Sequence, residues 1–243
     1  MWFVFAGVVA AAEPTPPTVP PCAVLRPLYT IDGRNVAAGT MFVTKIDDKV
    51  VLVTAHHLFG PPGGLPAQVA AADLPTHVTA LTARDAITSA VCGRSQRTLV
   101  VADAAPMDKE QSEHDVAAFL PAQSSGMDSI ALGAGTGFAV LPLATKTPAE
   151  GDRVWLAASV QGKTGLLHPA KIVAVEQGAL YYTFDDPKTD LTSTNGAPIL
   201  DASGGVVGMA LGGGTMPDGL LVGNANGAGS LKKRISGALA AKP

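Results

Sequence analysis

Charge is scarce in this chain of 243 residues: Asp, Glu, Lys and Arg make up 15% of it, and the net charge is −3. No stripe of Lys and Arg runs along it, which excludes the electrostatic footprint of a nucleic-acid-binding protein. Cysteine is scarcer still. There are 2, Cys22 and Cys92, and no Cys/His spacing suits zinc. Neither a metal nor a cofactor is expected. Internal repeats are missing, which excludes a repeat array. Long apolar runs are missing too: the stretch Trp2–Ala12 has 11 residues, short for a membrane-spanning helix.

That stretch ends in small residues, and Ala10 and Ala12 fit an A-x-A cleavage site before Glu13. Residues 1–12 therefore read as a signal peptide, which places the mature protein outside the cell or in the periplasm, with no stable membrane span after cleavage. No Lys or Arg precedes the apolar run, so an uncleaved anchor and a start further upstream stand as alternatives. Residues 13–22 are rich in proline and read as an extended, semi-rigid spacer outside any core. In an oxidising compartment Cys22 and Cys92 are able to pair, tying the N-terminal segment to the first half of the chain. The alternative is two unpaired cysteines, one of them buried.

What the chain has in quantity is Gly (27) and Pro (19), scattered between short apolar runs, with 47% hydrophobic residues overall. That pattern suits one globular unit of one or two subdomains, all-β and rich in turns. Strand-like runs fall at Ala23–Tyr29, Gly39–Lys45, Val50–Thr54, His77–Thr82, Arg97–Ala102 and Asp115–Leu120. In the second half they fall at Arg153–Ser159, Ala170–Val175, Leu180–Phe184, Ala197–Leu200, Val206–Leu211 and Leu220–Gly223. Gly178 supplies a hairpin turn. Residues 60–74 form a long loop, and Pro121–Thr136 connects the halves. Ser230–Leu239 reads as a helix capped by Ser230, with Leu231, Ile235 and Leu239 on one face.

Three motifs follow in order. Gly39-Thr40-Met41-Phe42-Val43 leads to Val53-Thr54-Ala55-His56-His57. Next comes His114-Asp115-Val116-Ala117-Ala118-Phe119-Leu120, and finally Ser193-Thr194-Asn195-Gly196-Ala197-Pro198. Together they resemble the trypsin-like serine peptidases, whose motifs run Gly-Thr-Gly-Phe, Leu-Thr-Ala-Ala-His, Asp-Ile-Ala-Leu-Leu and Gly-x-Ser-Gly-(Gly/Ala)-Pro. The order His, Asp, nucleophile is that of the chymotrypsin type. Counting three residues from Thr54 puts the family histidine at His57, with His56 in the variable position.

The resemblance implies an all-β fold of two six-stranded antiparallel β-barrels with a C-terminal α-helix. Residues 23–120 would form the first barrel, 121–136 the connection, and 137–243 the second barrel and closing helix. It implies His57 and Asp115 as base and orienting carboxylate, with Asn195 where the nucleophilic serine would stand. An amide nitrogen has its lone pair delocalised into the carbonyl, and no histidine activates it. The backbone N–H groups of Ser193 and Asn195 match the oxyanion hole, although Ser193 replaces a glycine, which implies an N–H turned away. Thr189, Leu211, Gly212 and Gly213 match the specificity pocket, which carries no charge and suits small or apolar side chains.

The expected protein is therefore an exported, catalytically inactive homologue that binds a polypeptide or another protein through the cleft between barrels. An active endopeptidase with a nucleophile displaced to Ser193 or Thr194 is the alternative. An unrelated two-barrel binding protein is a third reading. Asp103 and Asp128 are weaker rivals of Asp115, and His77, His114 and His168 are expected at the surface or behind the site.

Overall fold

The computed structural model describes residues 13–95, 97–101, 104–105, 112–122 and 137–241. The expected signal peptide, Asp103, Asp128 and most of the inter-barrel connection lie outside the described residues.

The N-terminal half folds into one antiparallel sheet. Its strands are β1 (Val24–Ile31), β2 (Arg34–Ala37), β3 (Met41–Ile46), β4 (Lys49–Thr54), β5 (Val78–Asp85), β6 (Val91–Ser95), β7 (Arg97–Leu99) and β8 (Ala117–Leu120). They run in the order β6-β5-β1-β3-β4-β8-β7, with β2 paired to β1 as a side hairpin. One residue separates β6 from β7, so the two ends of the sheet are successive stretches of chain. The path thus curls back on itself through six strand positions. The alternation of β1, buried at Leu25, Tyr29 and Ile31, turns one face into the core.

The second half is a closed barrel in the order β10-β11-β14-β13-β12-β9. Its strands are β9 (Arg153–Ala157), β10 (Leu167–Glu176), β11 (Ala179–Phe184), β12 (Pro198–Leu200), β13 (Val206–Thr215) and β14 (Leu221–Gly227). The β10–β11 hairpin turns on Gln177 (φ +46°) and Gly178 (φ +87°), both left-handed, as the twist of a tight hairpin requires. Besides a single turn at α1 (Leu74–His77), the chain has one described helix of length, α2 (Ala228–Ala240). The architecture is all-β as expected, with a closed six-stranded barrel in the second half, an eight-stranded sheet in the first and a closing helix.

Some local expectations change. Helix α2 begins two residues before Ser230, after Gly227, and has no side-chain cap. Ser230 instead points its hydroxyl at the Glu113 carbonyl, 3.4 Å away. The expected strand at 77–82 starts one residue later and extends to Asp85, because β5 pairs with β1 on one side and β6 on the other. The proline-rich stretch is not free of the body: Pro17 is buried near the Gly204 turn, and Glu13 pairs with Arg153 on β9 at 2.9 Å.

Two features join the halves, and a third braces the first sheet. Leu141 bridges to Thr44 of β3, and Leu143 to Val206 of β13. Leu231 and Ile235 of α2 are buried in the same cluster as the first sheet. Cys22 and Cys92 form a disulfide that holds the start of β1 to β6, their Cα atoms 5.6 Å apart. A link between residues 70 apart in sequence removes much chain entropy from the unfolded state. The paired substitution Cys22→Ser, Cys92→Ser is expected to lower unfolding free energy by about 4 kcal/mol, measured by urea denaturation.

Candidate functional site

Strand β4 ends at Thr54 and the chain turns at once into a single 3-10 turn, His56–Phe59, whose four side chains are all buried. Phe59 anchors it: its ring lies 5.0 Å from that of Tyr29 and 6.0 Å from that of Phe119. Asp115 sits just before β8, and the pairing of Thr54 with Ala117 carries it to the same place. The Asp115 side chain is fully buried. Its Oδ1 accepts the His57 backbone N–H at 2.9 Å, and its Oδ2 lies 2.6 Å from His57 Nδ1. A carboxylate only accepts, so Nδ1 carries the proton and Nε2 presents its lone pair. Asn195 meets that lone pair, with Nδ2 at 2.8 Å. His57 and Asp115 lie on the first sheet, Asn195 on the second, and the three converge.

The Asn195 turn is held by backbone contact with the first sheet. Thr40 donates its N–H to the Asn195 carbonyl at 2.8 Å and its hydroxyl to the Ser193 carbonyl at 2.8 Å. Thr54 closes the far side by donating to the Thr40 carbonyl at 2.7 Å. Such an approach leaves no room for side chains. A Cβ on Gly196 (φ +85°) would stand 2.2 Å from the Thr40 carbonyl, and one on Gly39 (φ +63°) 2.6 Å from that of Asn195. Both motif glycines are thus fixed by sterics and by the left-handed backbone.

Ser193 holds φ +65°, so its backbone is left-handed although it is not glycine. The N–H groups of Ser193 and Asn195 donate to no carbonyl among the described residues. Thr194 is buried and gives its hydroxyl to the Leu191 carbonyl at 2.8 Å.

Of the four expected pocket residues, Thr189 lines a depression that Leu211, Gly212 and Gly213 do not line. It gives its hydroxyl to the Asp186 carbonyl, and Lys163, His168 and Asp186 line the same depression, of about 250 Å³. Leu211 is buried, and it belongs to the cluster of the first sheet. Met209, two residues earlier on β13, is in the same cluster, so strand alternation turns Leu211 that way. Gly212 and Gly213 lie beyond a register shift on β13, paired to β14 alone.

His168, expected at the surface or behind the site, is buried, with Nε2 2.9 Å from the Ala158 carbonyl. His56 is buried beside the site; its ring nitrogens make no hydrogen bond of ordinary geometry among the described residues, although the Val69 and Ala105 backbones lie near enough to favour its protonated form. Burial pushes the pKa of both below the ordinary imidazole value. For His56, the Asp115 charge favours the protonated form but does not offset burial. Among the described residues, the cluster with metal-ligand spacing is Cys22, Asp85 and Cys92. Its sulfurs are spent in the disulfide, and Asp85 accepts N–H groups from Cys22, Ile87 and Thr88.

Two residues of the site carried no recognised signal in the sequence. Half-buried Arg26 on β1 donates to the Ser193 carbonyl at 2.9 Å, to Gly39 at 3.2 Å and to Ser159. These partners lie 167, 13 and 133 residues away, beyond any local pattern. Leu191 packs against Gly213. It is the single apolar residue other than proline between Asp185 and Asn195, and that isolation is the one signal the sequence carries for it.

The comparisons with known proteins agree with this geometry. Residues 39–209 match the model of the trypsin-like peptidase domain. No curated protein matches the sequence. Among solved structures, the active form of the Rv3671c protease from M. tuberculosis is 17% identical with a TM-score of 0.55, over 100% of this chain and 95% of that one. Kallikrein-related peptidase 10 is 14% identical with a TM-score of 0.60, over 95% and 100% of the two chains. A serine endoprotease from Yersinia pestis is 14% identical with a TM-score of 0.55, over 90% and 63%. At such identities the likeness is one of fold.

Two outcomes follow from the geometry. Gly196→Ala is expected to destabilise the fold by about 3 kcal/mol or more, from strain and backbone collision. Ser193→Gly is expected to stay within about 1 kcal/mol of the native chain, because it relieves left-handed strain while adding unfolded-state entropy. Denaturant midpoints check both. The pH outcome rests on His56 and His168. In the unfolded chain they titrate near pH 6.5, and their folded pKa values lie lower. Below about pH 6.5 the unfolded state therefore binds more protons, so stability present above that pH is lost as pH falls. His56→Phe should make this acid loss shallower between about pH 7.5 and 5, measured by urea titration at each pH.

Proposed function

The chain belongs to the trypsin-like peptidase family, and we propose that it is an exported member without peptidase activity that binds an extended polypeptide in its old cleft. The observation that carries this reading is Asn195 Nδ2 standing 2.8 Å from His57 Nε2. In a working triad this nitrogen would accept a proton from a hydroxyl that then attacks a carbonyl. Here it accepts from an amide that supplies no nucleophile. His57 and Asp115 take the roles of base and orienting carboxylate, and the base has no client. The N–H groups of Ser193 and Asn195 take the place of the oxyanion hole.

A nucleophile moved to Thr194 is disfavoured by its commitment to the Leu191 carbonyl, and one moved to Ser193 by the engagement of His57 with Asn195. Polypeptide binding draws support from β13, whose residues Gly212–Thr215 pair with β14 alone and leave a half-exposed to exposed strand edge. An extended segment can add to such an edge through backbone hydrogen bonds. Export draws support from the Cys22–Cys92 disulfide, which suits an oxidising compartment. Among the described residues no helix is long and apolar enough to cross a membrane.

Loss of a triad nucleophile costs about 10⁶ in turnover. The purified native chain is thus expected to stay unlabelled by a serine-directed phosphonate and to leave peptide substrates uncut, while Asn195→Ser takes up label at position 195. Peptide mass spectrometry reads the outcome. Label on the native chain at Ser193 or Thr194, with turnover, would overturn the proposal.

A further inference from the structure

We propose that the polypeptide held at this site is a chain end, whose C-terminal carboxylate sits on the N–H groups of Ser193 and Asn195 in the field of Arg26. The inference rests on the polypeptide-binding reading above and names the part of the polypeptide that is bound.

The carbonyls of Ser193 and Asn195 are spent, and their N–H groups are not. The Ser193 carbonyl accepts from Arg26 at 2.9 Å and from the Thr40 hydroxyl at 2.8 Å, which uses both of its lone pairs. The Asn195 carbonyl accepts the Thr40 N–H at 2.8 Å. His57 Nε2 accepts one N–H of the Asn195 amide at 2.8 Å and has no second lone pair to offer. Four donors remain without an acceptor among the described residues: the backbone N–H groups of Ser193 and Asn195, the Ser193 hydroxyl and the second N–H of the Asn195 amide. Ser193 is exposed and Asn195 half-buried, so a ligand can reach them. The Asn195 side-chain oxygen is the acceptor left over.

Free N–H groups in a turn that contains a left-handed residue suit an anion. Ser193 is that residue, at φ +65°, and the grip of Arg26 and Thr40 on its carbonyl holds it there. Arg26 also brings charge. Its partners are the neutral carbonyls of Gly39, Ser193 and Ser159, and no carboxylate pairs with it among the described residues. The neighbouring carboxylates already hold donors of their own: Asp115 is buried against His57, and Asp190 accepts the Thr192 N–H at 2.8 Å. An internal segment of polypeptide would bring one neutral carbonyl to these donors, whereas a chain end brings two oxygens and a negative charge. The free edge of β13 leads there. Gly196 donates its N–H to the Ala210 carbonyl at 2.7 Å, and the edge Gly212–Thr215 starts two residues further along the same strand. A segment added to that edge is thus delivered to the turn by its backbone, and the carboxylate of the backbone is the terminal one.

The test has two arms, both on the native chain. The first is backbone amide NMR during titration with N-acetylglycine or with its neutral amide. The acid should move the Ser193 and Asn195 N–H signals saturably, less strongly as salt rises, and the neutral amide should leave them in place. No shift with the acid, or equal shifts with both, would overturn the carboxylate site, and shifts indifferent to salt would remove Arg26 from it. The second arm is calorimetry with three peptides: acetyl-Ala-Ala-Pro-Ala with a free carboxylate, the same peptide as its C-terminal amide, and acetyl-Ala-Ala-Pro-Asp amide. The free acid should bind about tenfold or more tighter than its amide. Equal affinity of these two would overturn the chain end and leave polypeptide binding standing. Tighter binding of the Asp amide than of the free acid would move the carboxylate to a side chain and overturn the chain end as well. If no peptide binds, the polypeptide reading fails and the chain end with it, whereas the first arm still decides whether the two N–H groups hold a carboxylate.

Discussion

Everything at this site depends on the close approach of two backbones. The Gly39-Thr40 segment of the first sheet and the Ser193–Gly196 turn of the second meet through backbone carbonyls, an N–H group and the Thr40 hydroxyl, with Gly39 and Gly196 removing the side chains that would keep them apart. Arg26 adds a charged clamp, joining the Ser193 carbonyl to Gly39 of its own sheet and to Ser159 of the other. A buried polar contact of this sort is costly when left incomplete, because each unpaired carbonyl or N–H loses its water without replacement. The halves are thus held in one register, and His57, Asp115 and Asn195 converge as a consequence.

This gives the His57–Asp115 pair a structural role that owes nothing to catalysis. Asp115 is fully buried, and both of its oxygens are answered by His57, one by the backbone N–H and one by the ring. Removing His57 would take away the ring donor and leave an oxygen of a buried carboxylate unanswered, an expensive state in a protein interior. Asn195 completes the chain by donating to the remaining ring nitrogen. Asp115 and His57 form a buried pair that half-buried Asn195 closes, and hydrogen-bonded chains of this kind stabilise a unique arrangement. A serine at position 195 would satisfy the same nitrogen; the amide does so without offering a nucleophile.

Much of this was legible in the sequence. The three motifs in order carried the two-barrel fold, and the count from Thr54 separated His57, which meets Asp115, from His56, which is buried beside it with no ring hydrogen bond of ordinary geometry among the described residues. Asn195 was legible as a departure from the motif the chain resembles, and the structure brings it to His57. What stayed hidden depends on contacts distant in sequence. Arg26 has no local partner that would mark it, and Leu191 gains its meaning from a glycine 22 positions later on another element. Ser230 looked like a cap, but the helix runs straight on from β14 and its start is set by that strand. Strand β13 carries a register shift between Ala210 and Gly212 that nothing in its sequence marks. Local pattern carries no information on such shifts.

The most direct measurement is nitrogen-15 NMR of the His57 ring in the native chain near neutral pH, with His57→Gln to assign it. The account predicts a ring protonated at Nδ1 and bare at Nε2, with a strongly deshielded Nδ1 proton shared with Asp115, and an Nε2 shift that moves in Asn195→Ala. A ring protonated at Nε2 and bare at Nδ1, or one whose signals are indifferent to Asn195, would contradict it.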